Sequence, residues 1–395
     1  MLNFLQKQTI YRYNLQTMKL KWGFSFLFTI SVLAFLTFWN YNNRVYDWDM
    51  PGYLGCIYTS EFPDSPDKVR IITYEEIKKE APAEHYADVI GLKPWDIPRQ
   101  YFTKNTQSFT EQLPYFQIKI GYIWVITLFY KLGVSPPMAV LGTSLISYFI
   151  SGLLFFYILK LLFPKQYWVA VLLTVAAMLL PPMTYMSRVS TPDMFIFQFI
   201  LIFIIGLIKN WSKWGMFALL FAITFIRPDY ITFTLTYIMA VFFFSYYQEK
   251  KIDASYIVQG VILLLMYLAI IKFYNYPGWK DVFYDTFIDR RPIISTHPVE
   301  LSLMDYLQII YIKIIYFKKV TLSVAIMIGV IFWKSKDVWV RMISVLFLVN
   351  VYIKFFFFPQ SAALRFFFPF IFPLFIMMLY VLSRKYNDLK LMKIA

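Results

Sequence analysis

Ten long apolar runs constrain the fold of this 395-residue chain more than any other feature. A helix needs about 20 apolar residues to cross a hydrocarbon core about 30 Å thick, and irregular backbone exposed to lipid cannot satisfy its polar groups there. The runs therefore predict an all-α polytopic membrane protein with about ten transmembrane helices. They lie at 23–40, 136–159, 167–186, 193–208, 212–226, 230–247, 255–273, 320–333, 338–358 and 363–382.

The composition excludes a soluble domain and several kinds of site. Only 15% of the residues are charged, against about 25% in soluble domains. The single cysteine, Cys56, rules out a disulfide framework and a cysteine-based zinc site, and two histidines make a multi-histidine metal centre improbable. We expect no resident cofactor, with a divalent metal as a minor alternative.

The distribution of lysine and arginine orients the chain. An eleventh apolar run, 115–132, is treated as an interfacial helix, because counting it as a span inverts every later loop. Both termini are then cytoplasmic, and the cytoplasmic segments hold 17 basic against four acidic residues. About +13 of the net +15 therefore follows the positive-inside rule. With the charge explained by orientation, and without a basic stripe carrying base-stacking aromatics, we expect no nucleic-acid partner.

Two large loops face outward in this topology, at 41–135 and 274–319. The first contains seven prolines and should form short interfacial helices on a single membrane domain. The second carries Asp281, Asp285 and Asp289 at helical spacing, which favours a solvated helix face. Arg290 and Arg291 follow, and could instead help to bind a donor phosphate or an acidic acceptor; His297 is expected on the surface.

Four outward corners each carry an aspartate, an arginine or both. Such residues at membrane depth are candidates for function, provided that partners can be named. Proline followed by aspartate also suits a helix start, so capping is an alternative role for Asp193 and Asp229. Arg188 and Arg227 could equally reach lipid phosphates. The corners contain Asp47 and Asp49; Arg188 and Asp193; Arg227 and Asp229; and Arg365.

These residue types suit a reaction at a lipid-linked phosphate. Arginine binds phosphate through a planar fork of donors and offsets the charge of a leaving group. A carboxylate can accept the proton of an attacking hydroxyl or amine. Arg365, which lies among phenylalanine and leucine residues, needs an anionic partner most clearly.

With these residues in view, the chain resembles the type C glycosyltransferase superfamily, membrane enzymes that take sugars from polyprenyl-phosphate donors. The resemblance rests on organisation: an acidic residue after the first span, with Tyr53 following Asp49; the segment 113–133; the corners 187–193 and 227–229; and 364–369. It implies transfer to a glycan, lipid or protein acceptor at the extracytoplasmic face of a plasma membrane, such as a bacterial inner membrane.

The resemblance also implies residue roles. Asp49 would be the general base, with Asp47 as second choice. Donor phosphate would be bound by Arg365, Arg227, Arg188 and Lys119. Further substrate contacts would come from Tyr53, Tyr115, Asp193, Asp229, Arg290, Arg291 and His297.

Other functions stay open at this point. Asp47 and Asp49 are spaced by one residue rather than adjacent, so a metal requirement cannot be carried over. A polysaccharide polymerase or ligase that uses pyrophosphate-linked donors would also need outer arginines. A transporter or flippase of lipid-linked sugars would place charges near the bilayer midplane, where the runs carry almost none. A non-catalytic assembly subunit would tolerate loss of Asp49.

Overall fold

The fold is described from a computed structural model covering residues 2–359, 364–384 and 387. All regular structure in these residues is helical, and they contain no β-strand. Short 3₁₀ helices occupy Pro228–Tyr230 and Ile294–Thr296. The α-helices are α1 Leu2–Asn42, α2 Met50–Glu61, α3 Pro66–Glu80, α4 Ala83–Val89, α5 Ile97–Lys104, α6 Thr106–Gln112, α7 Pro114–Gln117, α8 Ile120–Lys131, α9 Pro136–Leu162, α10 Tyr167–Met178, α11 Pro181–Arg188, α12 Asp193–Lys209, α13 Lys213–Ile226, α14 Ile231–Glu249, α15 Ala254–Phe273, α16 Trp279–Phe287, α17 Leu303–Lys334, α18 Val338–Phe357 and α19 Phe368–Ser383.

Within the described residues, six helices are long and apolar enough to cross a membrane, or seven if the bent pair α10 and α11 forms one span. That pair bends by 59° at Leu179–Leu180, just before Pro181 and Pro182. A proline pair ends a helix because it removes backbone donors and clashes with the preceding turn. The six or seven apolar helices support an integral membrane protein in a lipid bilayer.

The expected count of about ten spans is not confirmed. Each apolar run contains a helix, but α12, α13 and α19 have only 17, 14 and 16 residues. At 1.5 Å per residue these helices are roughly 21–26 Å long, which is shorter than the hydrocarbon core. Two of them end or begin at a charged corner, Arg227 for α13 and Asp193 for α12, so polar residues limit their length.

The outer loops differ in detail from the expected arrangement. The span expected at 320–333 is the second half of α17, whose 32 residues begin at Leu303 and extend over about 48 Å. The capping box of Ser302 and Asp305 starts this helix inside the expected second loop. The expected interfacial helix at 115–132 is broken into α7 and α8, with Lys119 between them.

Helix α12 forms the centre of the bundle. It packs against α9, α11, α13 and α19, and most of its side chains are buried. By contrast, α15 and α17 keep large apolar side chains exposed, including Leu265 and Tyr316. Apolar surface of this extent is expected where lipid replaces water. Because α12 packs against α9, α11, α13 and α19, its N-terminus lies close to the ends of other helices.

Candidate functional site

Six charged residues form a continuous series of ion pairs where helix ends meet. Asp49 pairs with Arg365 at 3.4 Å, and Arg365 approaches the Asp193 carboxylate at 3.6 Å. Arg227 joins Asp193 to Asp229, with 3.0 Å between its Nε and Asp229 Oδ1. Lys354 closes the series on Asp229. We call this set the ion-pair chain: Asp49, Arg365, Asp193, Arg227, Asp229 and Lys354.

The six members of the ion-pair chain come from five separate places in the sequence. Asp49 immediately precedes α2, and Asp193 is the first residue of α12. Arg227 follows the last residue of α13, and Asp229 lies in the 3₁₀ turn before α14. Arg365 lies shortly before α19, and Lys354 is in the last turn of α18. All four predicted corners thus meet, through Asp49, Asp193, the 227–229 corner and Arg365.

Burial explains why these charges are paired. The Asp193 side chain is only 2% exposed and that of Arg227 only 8%. A lone charge withdrawn from water is costly, and pairing offsets much of that cost. Asp193 is also the acidic residue in the first turn of α12, where its charge complements the helix dipole, so ion pairing adds to the helix-start role and does not replace it. Arg227 is bound to carboxylates, which differs from the alternative of reaching lipid phosphates.

Asp47 and Asp49 have different environments although only Trp48 separates them. Asp47 accepts backbone hydrogen bonds from Asp49 N at 3.2 Å and Ser190 N at 3.1 Å, one on each carboxylate oxygen. Burial and the neighbouring Asp49 charge raise the pKa of Asp47 to about 7. Asp49 instead faces Arg365, and its side chain remains 17% exposed. Asp47 therefore fixes the loop, whereas the Asp49 carboxylate is paired with Arg365 and stays partly exposed.

Lys119 lies beside the ion-pair chain without an ion pair within 4 Å in the described part of the protein. Its ammonium donates to the Tyr53 hydroxyl at 2.8 Å and also contacts the faces of Tyr53 and Phe116. Burial, followed by the nearby Arg227 charge, lowers the pKa of Lys119 to about 8. The break between α7 and α8 holds this amine next to the carboxylates.

Arg188 lies outside the ion-pair chain. It donates to the Asn40 side chain at 2.7 Å and stacks 4.3 Å from the Trp39 ring. Its carbonyl oxygen accepts from Val45 N at 2.9 Å. This corner, together with the Asp47–Ser190 contact, therefore anchors the loop that carries Asp49.

The loop expected at 274–319 contains a separate network. Arg291 binds Asp285 at 2.7 Å and Asp281 at 2.8 Å, and Tyr115 donates to Asp285 at 2.8 Å. The expectation of a solvated aspartate face is therefore wrong for Asp281 and Asp285, because Arg291 neutralises their repulsion and Asp285 is buried. Helix α16 ends at Phe287, so Asp289 does not share that face.

The surface expectation for His297 agrees with its exposed position. Its ring hydrogen-bonds to the Thr296 hydroxyl at 2.8 Å, and its carbonyl oxygen accepts from Arg291 at 2.9 Å. It lies on the Arg291 network rather than on the ion-pair chain.

Lys354 is the member of the ion-pair chain that sequence reasoning missed. It was counted within the run 338–358, whose other residues near its outer end are apolar or aromatic. The available signal was a single charge one turn before the end of an apolar run, which is where a buried carboxylate partner is expected.

A cavity of about 570 Å³ lies beside Lys119. Its walls come from α2, α8 and the end of α15, and include Cys56, Ile120, Trp124 and Tyr274. Most of this lining is apolar, with Lys131 among the polar residues. The cavity is large enough for an apolar chain, and the cation in its lining is Lys131.

The two carboxylates differ in the oxygens that they could offer to a cation. Both oxygens of Asp47 accept backbone N–H groups, and Oδ2 of Asp49 is paired with Arg365, which leaves Oδ1 of Asp49 without a hydrogen-bond partner among the described residues. Among the described residues, no three histidine, cysteine or acidic side chains are grouped to hold a metal ion. In comparisons with known proteins, no family model, no curated protein and no solved structure matches the chain.

Proposed function

We propose that the protein is a membrane glycosyltransferase that moves a sugar from a polyprenyl-phosphate donor to an acceptor at the extracytoplasmic face. In this proposal about ten helical segments traverse a plasma membrane, such as a bacterial inner membrane, and both termini are cytoplasmic. The helix ends that carry the ion-pair chain face outward. The acceptor is a glycan, lipid or protein.

The observation that carries the proposal is the environment of Asp49. One carboxylate oxygen pairs with Arg365, while Oδ1 has no hydrogen-bond partner among the described residues. The side chain remains partly exposed, and the rigid Asp47 contacts hold its loop. A fixed and accessible carboxylate is what a general base requires.

The proposed step is a direct displacement. The acceptor hydroxyl attacks the anomeric carbon of the sugar, and its proton passes to Asp49. A carbon–oxygen bond forms to the acceptor as the bond from that carbon to the phosphate oxygen breaks. The polyprenyl phosphate leaves with the electron pair, and the sugar carbon is inverted. Proton transfer from Asp49 to water or to the departing phosphate restores the carboxylate.

Charge on the leaving phosphate is offset by neighbouring cations. Lys119 is the most available, because only one of its three N–H donors is bound, to Tyr53. Arg365 and Arg227 already bind carboxylates, so their main contribution is to the field around the site. The cavity lined by Cys56 and Trp124 is suited to the prenyl chain next to Lys119.

The position of the ion-pair chain favours this proposal over a transporter or flippase. Its residues lie at helix ends or in the turns between helices, and Lys354 is in the last turn of α18. A transport pathway would place its charges near the middle of the spans. No observation favours a pyrophosphate-dependent polymerase or ligase over a monophosphate donor.

The proposal is tested in a strain from which the gene is deleted. The strain is complemented with the wild type, Asp49→Asn or Asp64→Asn, an exposed aspartate of the first outer loop. Mass spectrometry measures lipid-linked sugars and surface glycans. Asp49→Asn should accumulate an uncleaved polyprenyl-phosphate sugar and leave a glycan, lipid or protein without that sugar, while Asp64→Asn complements. Full complementation by an expressed Asp49→Asn protein would contradict the proposal.

A further inference from the structure

Arg290 differs from the other arginines around the site because nothing in the described chain pairs with it. Its guanidinium carbon lies 4.9 Å from the Trp48 ring, 5.4 Å from Phe102 and 5.7 Å from Tyr115. Among the residues that the structure describes, it forms neither an ion pair nor a side-chain hydrogen bond. Its five N–H donors therefore remain available to a ligand, although the side chain is half-buried.

The neighbouring Arg291 has hydrogen bonds at all three of its side-chain nitrogens, so the availability of the N–H donors is particular to Arg290. Arg291 uses Nε, Nη1 and Nη2 to bind Asp285, the His297 carbonyl oxygen and Asp281. Tyr115 links the two environments, because its ring faces Arg290 while its hydroxyl donates to Asp285. Of these two adjacent arginines, Arg291 is therefore neutralised by aspartates, whereas Arg290 keeps its N–H donors available to a ligand.

The loop that carries Arg290 is held in place from the other side. Glu111 accepts from the backbone and the hydroxyl of Ser295 at 2.9 and 2.6 Å. Ser108 donates to the Pro292 carbonyl oxygen. These contacts fix the loop on α6, so the guanidinium is positioned before a ligand arrives, which lowers the entropy cost of binding.

Trp48 joins this arginine to the proposed base. The indole stacks on Arg290, and the next residue in the chain is Asp49. The three rings around Arg290 come from Trp48, α5 and α7, none of which belongs to a candidate membrane span. An anion bound by Arg290 therefore lies next to the loop that carries Asp49 and outside the candidate spans.

We propose that Arg290 binds an anionic group of the acceptor substrate, a phosphate or a carboxylate, and so aligns the acceptor hydroxyl with Asp49. The inference rests on the proposed transferase function. In the proposed function, the donor phosphate is tied to a chain in the membrane and is bound near Lys119. An anion bound by Arg290 among its three aromatic rings therefore belongs to the acceptor. A guanidinium with aromatic faces above and beside it suits such planar, charge-assisted recognition.

The test is chemical modification by phenylglyoxal, which reacts with unpaired guanidinium groups. The full chain in dodecyl maltoside is treated with the reagent, and mass spectrometry follows Arg290 and Arg291 separately. Arg290 should react and Arg291 should be protected. Inorganic phosphate or acetate should slow modification of Arg290 saturably, by about tenfold at about ten times the dissociation constant. The comparison of the two anions distinguishes a phosphate from a carboxylate.

Two further arms separate this inference from its alternatives. In Asp49→Asn, the anion should still protect Arg290 from phenylglyoxal. If this variant loses sugar transfer but keeps the protection, anion binding at Arg290 is shown independently of the proposed reaction. Nanodiscs with and without phosphatidylglycerol test a lipid headgroup as the ligand. The inference is overturned if Arg290 is unreactive, if neither anion protects it, or if only phosphatidylglycerol does.

Discussion

Asp193 holds two arginines at once, and this explains how so much charge is kept inside the bundle. Its Oδ1 binds Arg227 and its Oδ2 lies 3.6 Å from Arg365 Nε. Arg227 is in turn bound to Asp229. The three carboxylates and three cations of the ion-pair chain balance, so each charge has an opposite neighbour.

Replacement of Asp193 by asparagine should destabilise the protein strongly. The substitution leaves Arg227 buried with one carboxylate fewer, and breaking a buried pair typically costs about 3–5 kcal/mol. Thermal unfolding in detergent measures the effect, with Asp64→Asn as the matched exposed control. An Asp193→Asn protein as stable as the control would show that Arg227 does not depend on this carboxylate.

Asp47 should make stability dependent on pH. Its folded-state pKa, about 7, lies above its ordinary value of 3.8, so folding takes up a proton between these values. The stabilising contribution is present at low pH and is lost as the pH rises through about 7. The slope cannot exceed about 1.4 kcal/mol per pH unit for one proton, and screening of this half-buried side chain by water narrows the pH range over which stability changes.

The matching measurement compares melting temperatures in detergent at pH 5 and pH 7. Asp47→Asn should reduce the fall that the wild type shows between these values, because the amide does not titrate. The same fall in both proteins would assign it to other groups and remove Asp47 from this role.

At the scale of the elements, the sequence predicted helices well and their interruptions poorly. Each of the ten apolar runs contains a helix, because lipid-facing backbone must satisfy its hydrogen bonds internally. Hydropathy averages over the two interruptions, the bend that the proline pair causes before Pro181 and the break at Lys119. The extension of α17 to Leu303 follows the Ser302 cap, a local signal inside a segment read as a loop.

Helix α8 approaches α13 closely through a glycine. A Cβ at Gly121 would lie 2.8 Å from Ile226 Cγ1 and 3.1 Å from its Cα. Gly121→Ala should therefore separate the two helices and destabilise the protein by about 1–3 kcal/mol, the usual cost of overpacking. Gly142→Ala is the control, since no atom lies within 4 Å of its added Cβ. Equal melting temperatures for both variants would contradict this packing.

At the scale of the whole molecule, the pattern of corners was the informative part of the sequence. Alternation of spans predicted that Asp49, Arg227, Asp229 and Arg365 share one side, and their ion pairs bring them together. The sequence did not predict that Lys354 belongs to the ion-pair chain or that Asp193 joins its two arginines, because these contacts depend on how the helices pack and not on residue spacing. The side of the membrane stays a prediction from the distribution of lysine and arginine.

Labelling of introduced cysteines tests that orientation. In a Cys56→Ser background, Asp64→Cys should react with a membrane-impermeant maleimide in intact cells. Lys251→Cys should react only after permeabilisation, because it lies in a loop expected in the cytoplasm. Both positions are exposed, so access to the side chain does not differ between them. The reverse pattern would place the ion-pair chain on the cytoplasmic side.

The central claim is that Asp49, rather than Asp47, accepts the proton during sugar transfer. Its most direct test is the initial rate of sugar transfer from the endogenous lipid-linked donor in membrane vesicles. Asp49→Asn should lower the rate by about 10²–10⁴, the usual contribution of a general base. Asp47→Asn should retain most of it once protein amounts are matched, because Asp47 acts through backbone contacts. A near-normal rate for Asp49→Asn, or a larger loss for Asp47→Asn, would contradict the account.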